Sequence, residues 1–209
     1  MKGKFRQRGQ GAQPHTAWQR ADQTQLRTFL RKVASQHPDR EQLVIVCIGT
    51  DRSTGDSYGP WVGTLLAERG WDAVIGTLQT PCDAESYTQA IKGIPSGRTV
   101  IAVDASLGKA ESVGQFLVAE EPLYPARATG GALEGIGNYS IGGVVGPFSP
   151  KSYWSLQRAS LYQVIRMAKE TADAFCEVWA EAQSATDGLI SAGEVNLLQI
   201  VRFMTEPGR

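Results

Sequence analysis

Apolar positions along this chain fall into two periods. From Thr24 to Gln36, residues Leu26, Phe29, Leu30, Val33 and Ala34 recur at three- and four-residue spacing, which marks one face of an amphipathic helix. Leu43 to Ile48 is instead an unbroken apolar run, the pattern of a parallel strand buried on both faces. Thr99 to Val103, reading TVIAV after the turn Pro95-Ser96-Gly97, is a second such strand, and Ala73 to Leu78 a less continuous one. Pro60 to Arg69 and Ala84 to Lys92 carry helical spacing between them. The order is thus β-α-β-α-β, whose right-handed crossovers give a mainly parallel sheet. Phe116 to Ala119 and Ser140 to Val145 can add strands. Ser152 to Gln183 reads as one long helix, with Leu156, Leu161, Ile165, Ala168, Ala172, Phe175, Val178 and Trp179 along a stripe.

Residues 1–18 are rich in Gln, Gly, Lys and Arg without periodic apolar positions, and are expected to form a disordered basic arm. Residues 19–183 would make a single α/β domain, a size routine for one core, and 184–209 a helical C-terminal extension. Of the 209 residues 42% are hydrophobic and the formal net charge is zero, so nothing global draws the chain to nucleic acid or anionic lipid. No apolar run approaches the roughly 20 residues that span a bilayer, and MKGKFRQRGQGAQPH lacks the apolar stretch of a secretory signal; the cytoplasm is the expected location. Three cysteines, Cys47, Cys82 and Cys176, without CxxC spacing, point away from a disulfide framework or a zinc cluster.

Chemistry concentrates where the first strand breaks. CIGTDRSTGDSYGPWVG, residues 47–63, leaves the apolar run for a polar, glycine-studded loop and then a helix, as α/β proteins do when they place a site at the C-terminal edge of a sheet. Asp51 and Asp56 lie in that loop, and Asp104 follows the TVIAV strand at the same edge. Two carboxyls converging on one crevice suit water-attacking hydrolysis: one takes a proton from water, while its partner, kept protonated by like-charge repulsion, hydrogen-bonds the substrate carbonyl. The same residues would also serve if Asp51 or Asp56 capped the next helix and Asp104 closed a turn.

Other chemistries find less support. His15 and His37 both precede the first strand, so neither is placed to act as base for Cys82. Ser140, in GNYSIGG, lacks the preceding glycine of a Gly-x-Ser-x-Gly elbow, and Gly49 to Asp56 lacks the Lys-Ser/Thr of a P-loop. Asp187, Gly188, Ile190, Ser191 and Glu194 occupy later positions of a calcium-loop pattern. The first two ligand positions, however, would be Gln183 and Ala185, so no metal is assigned.

IGTDRSTGDSYGPWVG, VIAVDASLG, GALEGIGNYSIGGVVG and SYWSLQRASLYQVIRMA, kept in order from about Leu43 to Ala172, together resemble the YyaC family of sporulation proteins of spore-forming bacteria. That resemblance implies kinship with the germination protease that degrades small acid-soluble spore proteins and, more distantly, with hydrogenase-maturation endopeptidases. The implied fold is a three-layer α/β/α sandwich, phosphorylase/hydrolase-like, with a mainly parallel central sheet. In the germination protease, aspartates of an Asp-x-Leu-Gly-Pro and a Val-Asp-Ala motif are the catalytic pair; they correspond here to Asp56 in Asp56-Ser57-Tyr58-Gly59-Pro60 and Asp104 in Val103-Asp104-Ala105. Tyr58 stands where that motif has leucine. The downstream histidine with which the hydrogenase-maturation group binds nickel is missing, since no histidine follows His37.

The expected function is a cytoplasmic peptidase of a sporulating cell or spore, acting on a peptide or small spore protein without a cofactor. Asp51, Thr54 and the N–H groups of Gly130, Gly131 and Gly137 would orient substrate or stabilise the oxyanion. The alternative is a non-catalytic peptide-binding or regulatory protein that uses the same crevice.

Overall fold

Both apolar runs form strands, and they lie side by side. In the computed structural model, which describes residues 18–125 and 133–205 and side chains as far as 185, the elements alternate as expected through the first half of the chain. They are β1 (Gln19–Ala21), α1 (Gln23–Gln36), β2 (Leu43–Cys47), α2 (Tyr58–Glu68), β3 (Val74–Ile75), α3 (Tyr87–Lys92) and β4 (Thr99–Gly108). β5 (Phe116–Ala119), β6 (Tyr139–Pro147), α4 (Ser152–Gln157) and α5 (Leu161–Thr205) follow. One six-stranded sheet has the order β1-β5-β6-β4-β2-β3. β2 pairs in parallel with β3 and β4, and β4 in parallel with β6, whereas β5 runs antiparallel to β6 and to β1.

Helices cover the two faces unequally. Leu26, Leu30 and Val33 of α1, Tyr58, Val62 and Leu66 of α2, and Val164, Met167, Phe175 and Trp179 of α5 pack on Leu43, Ile45, Cys47, Ile101, Val103 and Ile141. Successive residues of a strand point to opposite faces. Val44, Val46, Val100 and Ala102 therefore meet the other layer, made by Tyr87, Ala90 and Ile91 of α3 with Trp18, Leu123, Leu133 and Ile136. The fold is α/β, with a mostly parallel sheet between a thick helical layer and a thin one.

Three differences from the sequence expectation have physical causes. β4 does not stop at Val103, because its partner β6 continues beside it as far as the Gly108–Pro147 pair; Asp104 therefore lies inside the strand, paired with Gly142. The long helix is interrupted at residues 158–160. There Ser160 starts α5 by accepting Gln163 N–H on its hydroxyl at 3.3 Å and Val164 N–H on its carbonyl at 3.0 Å. β1 has no apolar alternation and is held as a strand only by pairing with β5. The basic arm lies outside the described residues except for Trp18. The segment with the calcium-loop pattern has the backbone of α5, while its side chains from residue 186 are outside the description.

Tyr58, the departure from the leucine motif, is fully buried in the thick layer. Its ring lies against Gly143 of β6, where an added Cβ would come within 2.6 Å of it, and its hydroxyl shares a 2.8 Å hydrogen bond with Thr171 of α5. Burial raises its phenol far above the ordinary value.

Candidate active site

The loop after β2 is held at both edges before it turns. Ile48 N–H donates to Val103 of β4 at 2.7 Å, and Gly49 N–H to Cys82 at 3.0 Å. The chain then doubles back, with Thr50 N–H donating to the Asp56 carbonyl at 3.2 Å. Gly49 has φ +140°, and a Cβ there would stand 2.0 Å from that carbonyl oxygen, so the turn needs glycine. Further on, Gly55 N–H donates to the carbonyl of Leu156 in α4 at 2.8 Å. Asp56 is thus fastened between the sheet edge and a helix distant in sequence. No side-chain cap is present on α2, whose preceding residue is Ser57, so Asp56 is not its capping group.

Asp56 and Asp104 line one cavity of about 180 Å³, together with Ile48, Thr50, Asp83, Leu107, Pro125 and Leu156. Both residues are half-buried. Burial drives the Asp104 carboxyl from an ordinary 3.8 to about 8; the Ala105 N–H, which it accepts at 2.7 Å, opposes the rise, and the negative charge of Asp56 adds to it. Burial also raises Asp56, but less, and the buried hydroxyl of Ser53 beside it favours its charged form without reaching hydrogen-bond geometry. Removal from water is therefore the main cause of the asymmetry, ahead of the like-charge repulsion expected from sequence. Asp56 loses its proton first; Asp104 keeps its own to near neutrality.

Asp83 and Arg52 belong to this site although their sequence context did not single them out. Asp83 heads the turn into α3, accepting the N–H groups of Glu85 and Ser86 at 3.1 Å, and is held below the usual carboxylate range first by Ser86 and also by Arg52. Arg52 reaches Asp83 at 2.7 Å and Thr50 at 3.2 Å, which places a guanidinium on two cavity-lining residues. Only the folded loop brings Arg52 and Asp83 together across 31 positions.

Other expected participants lie apart. Asp51 is exposed and Thr54 half-buried in the same loop, and neither lines the cavity. Gly137, with φ +102°, packs on Ala102, two residues before Asp104 along β4, and is likewise outside the lining. Gly130 and Gly131 lie outside the described residues. His37 hydrogen-bonds Tyr139 at 3.1 Å and Thr99 at 3.2 Å, at the start of β4 and away from the cavity. Cys82 is buried, and burial lifts its thiol to about 11, which leaves it inert as a nucleophile. Among the described residues no group of three or more His, Cys, Asp or Glu is arranged to hold a metal ion. No described helix is long and apolar enough to cross a membrane.

Comparison with known proteins follows the same stretch of chain. The family described as protein of unknown function (DUF1256) matches residues 16–174. Uncharacterized protein YyaC of Bacillus subtilis (strain 168) is 39% identical over 170 residues, which cover 79% of this chain and 77% of that protein. Among solved structures, the NiFe hydrogenase maturation protease HycI from Thermococcus kodakarensis KOD1 is 22% identical, with a TM-score of 0.44 over 70% of this chain and 98% of that one.

Proposed function

The chain belongs to the YyaC family, that of the DUF1256 proteins, and on that footing we propose that it is a sporulation-associated peptidase in which Asp56 and Asp104 activate water against a peptide carbonyl. One observation carries the reading: two aspartates line one cavity, and burial sets their proton affinities apart, holding the Asp104 proton to about 8 and raising Asp56 less. Ionised Asp56 takes a proton from water as the water oxygen bonds to the carbonyl carbon. Protonated Asp104 donates its hydrogen bond, then its proton, to the carbonyl oxygen. Collapse of the tetrahedral intermediate returns that proton to Asp104 as the C–N bond breaks, and Asp56 passes its acquired proton to the leaving amine. Each carboxyl ends as it began.

The test is incubation of the wild type and the Asp56→Asn/Asp104→Asn variant with a protein extract of spores, followed by mass spectrometry for new termini. Termini formed by the wild type alone are expected. Equal products from both proteins, or none from either despite retained binding, would replace the peptidase with a peptide-binding protein on the same fold.

A further inference from the structure

A second concavity lies next to the Asp cavity, on the other side of α4. It measures about 920 Å³, and its walls include Val113, Pro147, Lys151, Trp154, Arg158 and Gln163. The two spaces adjoin: Leu107 lines the Asp cavity, and its partner across the strand pair, Gly146, lines the groove. Likewise Leu156 faces the cavity while Trp154 and Ser155, just before it in α4, face the groove.

The walls of this groove combine apolar side chains with two cations. Trp154 lines it and is 58% exposed, the exposed ring of Tyr153 meets Trp154 edge-on at 5.9 Å, and Phe148, Leu161 and Tyr162 are exposed in the same stretch of chain. An exposed apolar cluster of this kind marks an interaction surface. Its only charged wall residues are Lys151 and Arg158, both cations, and no Asp or Glu lines it among the described residues. A basic arm, or a second groove of the same sign, would be repelled from it. A ligand with carboxylates beside a bulky apolar side chain satisfies both features.

We propose, resting on the peptidase reading, that this groove takes an extended segment of the polypeptide substrate, one that carries acidic side chains next to an aromatic or large aliphatic residue. Leu107 of the Asp cavity pairs with Gly146 of the groove, so a chain extended from one into the other places the recognised side chains a few residues from the scissile bond. The groove selects and the Asp cavity cuts.

Binding is to be measured on the Asp56→Asn/Asp104→Asn protein, by fluorescence anisotropy with a dye-labelled Gly/Ser peptide bearing one Phe and two Asp. The controls carry Lys in place of Asp, or Ser in place of Phe. The acidic-aromatic peptide should bind at least about tenfold more tightly than either control, a difference of about 1.4 kcal/mol. Lys151→Glu with Arg158→Glu should reverse the charge preference, and Trp154→Ala should abolish the preference for Phe; circular dichroism checks that these exposed-site variants fold. Equal binding of all peptides, or a preference untouched by the charge reversal, overturns the proposal. So does a dimer, seen by light scattering, that Trp154→Ala dissolves, since the groove would then be an interface between copies. Selective binding without cleavage by the wild type rejects the peptidase and keeps the groove, whereas cleavage indifferent to the groove variants does the reverse.

Discussion

Gly55 and Leu156, 101 residues apart, are joined by one backbone hydrogen bond of 2.8 Å, and that bond fastens the loop carrying Asp56 to helix α4. A Cβ at Gly55 would stand 2.8 Å from the Leu156 carbonyl oxygen and 3.0 Å from its Cα. Both neighbours are backbone, so they cannot rotate away. Gly55→Ala should push loop and helix apart, costing about 1–3 kcal/mol by denaturant unfolding. The proposed peptidase activity should fall further than stability does, because the displaced residue is the neighbour of Asp56.

The Tyr58 pocket gives a paired expectation. Tyr58→Phe removes a buried hydroxyl whose partner, Thr171, still donates to the Met167 carbonyl at 3.0 Å, so the loss should be only about 1 kcal/mol. Gly143→Ala should be worse, since its methyl would stand 2.6 Å from the fully buried ring of Tyr58. Urea midpoints of the two variants should rank in that order.

The proposed activity should follow a bell-shaped pH profile. Its alkaline limb reports loss of the Asp104 proton near pH 8, and its acid limb reports protonation of Asp56 above the ordinary carboxylate value. Asp104→Asn should erase the alkaline limb along with turnover, which leaves substrate binding as the readable signal. An alkaline limb unchanged in a residually active Asp104→Asn protein would falsify the assignment.

Stability should carry the same signature with a definite sign. Asp104 binds its proton more tightly folded than unfolded, so its contribution is fully present below the ordinary 3.8 and is lost as pH rises to about 8. Replacement by Asn, which never ionises, should flatten the decline between those values. The gain of the variant over the wild type should therefore be greater at pH 8.5 than at pH 4. Asp83, held low in the fold, adds stability with the opposite slope at acid pH, so the comparison is to be made as a difference between the two proteins.

Trp179 should be among the most sensitive core positions. It stacks on Phe175 with centroids 5.6 Å apart, meets Trp71 edge-on at the same distance, and donates its indole N–H to the His37 carbonyl at 3.0 Å. Truncation to alanine should cost about 3–5 kcal/mol. Activity per folded molecule should be spared, because this cluster lies away from the cavity.

Strands β2 and β4 and helices α1 and α2 were legible because burial wrote their periods into the sequence, and the placing of Asp56 and Asp104 in one cavity because each comes after an unbroken apolar run. What escaped depends on contacts distant along the chain. Gln19–Ala21 has no pattern of its own and becomes a strand through β5. The five-residue step from Leu156 to Leu161 departs from helical spacing, and Leu161, expected on the buried stripe, is exposed; the break that Ser160 makes falls in that step, and the buried face resumes at Val164. Leu156 and Asp83 enter the cavity through hydrogen bonds that local spacing cannot register.

The outermost strands are also the shortest, three residues in β1 and two in β3, while the longest, β4 and β6, are enclosed between neighbours. An incoming chain would find little unpaired backbone along either margin on which to register, and fibre growth by strand addition starts from such margins. Crowding at high protein concentration should therefore bring these molecules together through side chains, leaving the sheet closed to recruitment.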